Sequence, residues 1–202
     1  MAPRVVVTGL GVASPLGLGV DAFWTALGES RAAAESFEQG PLAQIPPAAG
    51  GRTPVPMKVA REFFDPRALR NATMHGSTLM AVVATGDCLA RASLDTETAV
   101  GARYGCYVGT EIAYPDHRKQ ARGAITLVQR DPESTDGWRF NDDRLGDAMK
   151  SLSAFDFLRT LPNMAGSHVS IRGRFRGPIS TYLGSWASGV QAIVEAWREI
   201  RA

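Results

Sequence analysis

The chain has 202 residues, with 22 Lys and Arg against 20 Asp and Glu, a formal balance of +2. Charged residues make up 21% and hydrophobic residues 45%, an ordinary mix for a globular chain long enough to bury a core as one domain or at most two. Neither sign of charge clusters, which argues against a basic nucleic-acid footprint or an acidic solvating tail.

In chain order, Arg4 to Thr8 (RVVVT) is a short β-branched run closed by Gly9-Leu10-Gly11, which predicts a buried strand and a turn. A dinucleotide-binding reading of that turn fails on spacing, because Ser14 stands where the third glycine belongs and the next helix starts too late to grip a pyrophosphate. No cofactor is expected. Asp21 is placed to N-cap a helix over Ala22 to Gly28. Residues 38–58 carry five prolines and three glycines and read as a surface loop. A helix is predicted over about 72–92, with Leu79, Val82, Val83, Leu89 and Ala90 near helical spacing. Tyr104 to Thr110 reads as a second strand, leading into a loop at Glu111. The polar stretch 129–143 predicts a surface excursion. A helix over Asp143 to Leu161 would carry Leu145, Met149, Leu152, Phe155 and Leu158 as a stripe suited to a core or an interface.

Two cysteines, Cys88 and Cys106, are too few for a disulfide framework and too far apart for a metal knuckle, so both are expected as buried, reduced thiols. No metal site is expected. No run approaches 18 uninterrupted apolar residues, and the first residues lack the apolar core of a signal peptide. A cytoplasmic protein without a membrane span is the expectation.

The last forty residues are the most informative. Ile179 to Leu183 (ISTYL) predicts a strand, Gly184-Ser185-Trp186 a sharp turn, and Ala187 to Arg201 a helix with Val190, Ile193, Val194, Trp197 and Ile200 on one face. Strands alternating with helices imply an α/β fold with a mainly parallel sheet and flanking helices. A strand, a tight turn and a helix are a common way to present a nucleophile above a sheet, since the helix N-terminus stabilises negative charge there. The segment Gly184-Ser185-Trp186-Ala187-Ser188-Gly189 does not fit the G-x-S-x-G elbow of lipases.

The run Leu161-Pro162-Asn163-Met164-Ala165-Gly166-Ser167-His168-Val169-Ser170-Ile171, with Arg176-Gly177-Pro178 and Ala187-Ser188-Gly189, resembles the β-ketoacyl synthases of fatty-acid and polyketide synthesis. The opening Val5 to Gly17, Phe64-Asp65-Pro66 and Arg103 to Thr110 are similar to the same family, so the resemblance covers residues 1–202. It implies the N-terminal half of a thiolase-like fold and decarboxylative condensation of acyl groups held on an acyl carrier protein. In that family a cysteine at the turn attacks the acyl thioester, and the matching position here is Trp186. An indole offers no nucleophilic heteroatom, and Ser185 or Ser188 would need an adjacent base to substitute. The family's two basic catalytic residues lie in its second half, beyond the stretch this chain matches. His168 matches a structural histidine, and His75 and His117 are expected at the surface.

The resemblance therefore implies a ketosynthase-like subunit with no catalytic residue of its own. It is comparable to the chain-length factors that lack the cysteine and pair with an active subunit, although those are full-length and commonly carry Gln at that position. The turn Ser185, Trp186, Ala187, Ser188 and Gly189 is the candidate binding element. Dimerisation in the family runs through the strand before the turn, here Ile179, Ser180, Thr181, Tyr182 and Leu183, whose open edge needs a partner. The partners implied are a second copy or a full-length ketosynthase, and an acyl carrier protein. A split enzyme completed by another chain, and a non-enzymatic acyl or carrier-protein binding module, are the alternative readings. In either case the helix face bearing Val190, Ile193, Val194 and Trp197 is expected to lack part of its cover.

Overall fold

The computed structural model describes residues 4–36, 49–53, 55–56, 58–59, 76–94, 101–111, 117–150, 156 and 158–202. In chain order these give the hairpin strands β1 (Ala13–Ser14) and β2 (Gly17–Leu18), helix α1 (Val20–Gly28), the strands β3 (Glu35–Ser36) and β4 (Ala49–Gly50), and helix α2 (Gly76–Arg91). Strand β5 (Cys106–Thr110) and helix α3 (His117–Leu127) follow, then the strands β6 (Val128–Arg130) and β7 (Trp138–Phe140) and helix α4 (Leu145–Lys150). Helix α5 (Met164–Gly173), strand β8 (Ile179–Leu183) and helix α6 (Ser188–Arg201) complete the set.

The centre is the parallel pair β5 and β8, in register from Cys106↔Ile179 to Thr110↔Leu183. Alternation along a strand sends Cys106, Val108, Ile179 and Thr181 to one face and Tyr107, Gly109, Ser180 and Tyr182 to the other. Helix α5 covers the first face. The Cys106 Sγ–H meets the carbonyl of Gly166 at 3.8 Å, and Gly166 sits against Val108, Ile179 and Thr181, with α2 packed beside α5. Helix α6 covers the second face at Gly109, where an added Cβ would overlap the backbone of Ser188 and Gly189. Three layers result, with Val82, Cys106 and Val169 at the heart of the core and Leu79, Val108 and Phe175 packed against it.

The strands Tyr104–Thr110 and Ile179–Leu183, their parallel relation, and the helices over 72–92 and 187–201 fall where the sequence predicts them, within a few residues. Other expectations are corrected. Arg4 to Thr8 forms no strand, and Val6 and Val7 are exposed, because among the described residues no strand pairs with the segment. The glycines after it serve packing rather than a turn: Gly9 and Gly11 lie so close to the backbone of α2, at Cys88 and Ala84, that a side chain would collide. Asp21 is not the N-cap of α1. The cap position is Gly19 at φ 88°, and the free N–H of Val20 donates 3.0 Å to Asp87 Oδ2 of α2, while Asp21 pairs with Arg91 at 2.7 Å.

The excursion is an ordered hairpin. Val128–Arg130 and Trp138–Phe140 pair antiparallel around a turn in which Asp136 accepts from the Trp138 N–H at 3.1 Å. Ahead of the helix that follows it, α4 buries Ala148 while Leu145 and Met149 stay exposed, so the expected stripe is not core there. Leu152 and Phe155, most of the loop 38–58, the motif Phe64-Asp65-Pro66 and His75 lie outside the described residues. Cys106 is buried and Cys88 half-buried, both are free thiols, and burial pushes both upward, so neither is poised as a thiolate.

Because Gly109 is the point where α6 seats on the sheet, Gly109→Ala is expected to force the two apart. The expected cost is about 1–3 kcal/mol, the usual penalty of overpacking a fitted contact. Urea melts of the variant against the unaltered chain measure it.

Candidate functional site

Strand β8 runs out at Leu183, and the Gly184 N–H still donates to the Thr110 carbonyl at 3.3 Å, so the ladder with β5 extends one residue into the turn. The chain then reverses through Ser185 and Trp186. Ser188 closes the turn twice, its N–H donating to the Ser185 carbonyl at 3.3 Å and its hydroxyl donating to the same oxygen at 3.0 Å. The Gln191 N–H reaches the Ala187 carbonyl at 2.9 Å, which starts α6. Ser188 is buried, whereas Ser185, Ala187 and Gly189 are exposed.

Trp186 stands at the crest of this turn and is 97% exposed. Its neighbours Gly184, Ser185, Ala187, Ser188 and Gly189 are all small, so nothing local shelters the indole. Among the described residues no hydrogen bond joins Ser185 or Ser188 to a histidine, a lysine or a carboxylate, and the Ser188 hydroxyl is committed to the turn. No general base activates either serine in this geometry. Within the described residues no group of three His, Cys, Asp or Glu could hold a metal ion, and no helix is long and apolar enough to cross a membrane.

The structure thus joins the turn residues and the strand residues Ile179 to Leu183 in one continuous element. It leaves His168 and His117 elsewhere. His168 is a half-buried residue of α5, and His117 begins α3. One contributor is absent from the sequence reading: Gly109, the seat of the turn, for which a lone glycine inside a strand run is the signal. Away from the turn, Ala124, Ile125, Val128 and Trp138 form a shallow apolar depression on the excursion. On the α6 side of the sheet, burial pushes the Tyr107 hydroxyl upward, helped by the charges of Glu199 and Glu195.

A parallel strand pair flanked by helices, with a strand, turn and helix at its end, is the α/β arrangement that the resemblance implies for the N-terminal half of a thiolase-like fold. Comparison with known proteins agrees. Residues 2–202 match the profile of the β-ketoacyl synthase N-terminal domain, and the chain belongs to that family. Among curated relatives, the granaticin polyketide β-ketoacyl synthase 1 of Streptomyces violaceoruber is 28% identical over 193 residues, covering 96% of this chain and 42% of the relative. The actinorhodin polyketide β-ketoacyl synthase 1 of Streptomyces coelicolor is 27% identical, covering 98% of this chain and 38% of the relative. The chain therefore spans about two-fifths of the length of these relatives. Among solved structures, a type II polyketide ketosynthase in complex with its acyl carrier protein superposes with a TM-score of 0.65 at 20% identity, over 100% of this chain and 48% of that one. The ishigamide ketosynthase/chain length factor gives 0.64 at 17% identity, over 98% of this chain and 45% of that one.

His168 gives the α5 side of the domain a pH response. Burial holds it below its ordinary value of 6.5. The unfolded chain therefore takes up this proton at a higher pH than the native state does. The contribution is complete above pH 6.5 and is lost as the pH falls through that value toward the lowered native one. Urea melts at pH 7.5 and at pH 5 are expected to show a smaller loss of stability on acidification for His168→Gln than for the unaltered chain.

Proposed function

We propose that the chain acts as a ketosynthase-like, non-catalytic subunit in polyketide chain elongation, with Trp186 in place of the nucleophilic cysteine. One observation carries this reading: in a chain that belongs to the β-ketoacyl synthase family, the turn between β8 and α6 presents an indole. Acyl transfer to the turn needs a heteroatom that can form a thioester or ester, and the indole supplies none. The names of the curated relatives favour polyketide over fatty-acid synthesis.

In this reading the chain pairs with a second copy or with a full-length ketosynthase along β8. That strand bonds β5 on one side, and among the described residues it has no strand on its other side. An acyl carrier protein is the further partner, delivering acyl groups to the active subunit. The domain runs through residues 1–202, needs no cofactor or metal, and works in the cytoplasm.

A second reading is a split enzyme. In it the chain is one half of a split β-ketoacyl synthase that another polypeptide completes. Trp186 would still block acyl transfer at the turn of such a split enzyme. A plain acyl or carrier-protein binding module remains the third reading, and the same experiment addresses it.

That experiment is intact-mass spectrometry after incubation with acetyl- and malonyl-loaded acyl carrier protein. The unaltered chain is expected to gain no acyl mass, and Trp186→Cys is expected to gain one acetyl group. A stable acyl adduct on the unaltered chain would overturn the non-catalytic assignment.

A further inference from the structure

We draw no further inference here: the strongest candidate, the small apolar groove between α2 and α5 lined by Val82, Thr85, Leu89, Val169 and Arg172, carries none, because nothing in the structure shows what covers it.

Discussion

Everything at the functional end of this domain depends on one close approach, the backbone of Ser188 and Gly189 resting on Gly109 of the sheet. Without a side chain at 109, the first turn of α6 can lie flat against β5. The turn before it is then drawn tight enough for the Ser188 hydroxyl to reach the Ser185 carbonyl. Residue 186 is left at the crest with no choice but to project. The display of Trp186 is therefore a consequence of how the helix seats, two elements away from the indole.

The same economy of side chains runs through the interior. Among the described residues, those buried and hydrophobic are Ala26, Val82, Val83, Cys106, Ala148, Ala165, Val169 and Ala192, all of modest size. Small interiors bring layers close but remove little apolar area from water, and burial in proportion to area is the main favourable contribution to folding. The large apolar groups sit outside instead, along α6, at both ends of β8 and on the excursion. Apolar patches of that extent mark contact surfaces rather than solvent-facing ones. The stripe on α6 points away from the sheet, with Val190, Ile193, Val194 and Trp197 exposed.

Much of the fold was legible because parallel strands buried on both faces leave a plain signature. Cys106–Thr110 and Ile179–Leu183 are short β-branched or aromatic runs bounded by glycines and turns, and the helices around them follow the period of 3.6 residues. The strand, turn and helix of the candidate site were legible for the same reason, together with the identity of the residue at the crest. Arg4 to Thr8 misled because its composition is that of a strand while strand formation needs a neighbour, which composition cannot supply. Asp21 misled because a cap was sought nearby, whereas Asp87 arrives from another helix. The direction of the α6 stripe was hidden because periodicity fixes a face without saying what lies against it. The hairpin at 128–140 shows in the sequence only as a polar surface excursion because its strands are three residues long and carry polar neighbours.

The register of β5 on β8 carries a kinetic consequence. The two strands are hydrogen-bonded partners although α3, the excursion and α5 all intervene between them in the chain. Closing so long a loop costs entropy before any contact across it compensates, so topology of this kind slows folding. The strand, turn and helix at 179–201, by contrast, are contiguous and can order locally. The tight turn and the display of Trp186, however, need the seat at Gly109, so the crest takes its final form only with the late pairing of β5 and β8.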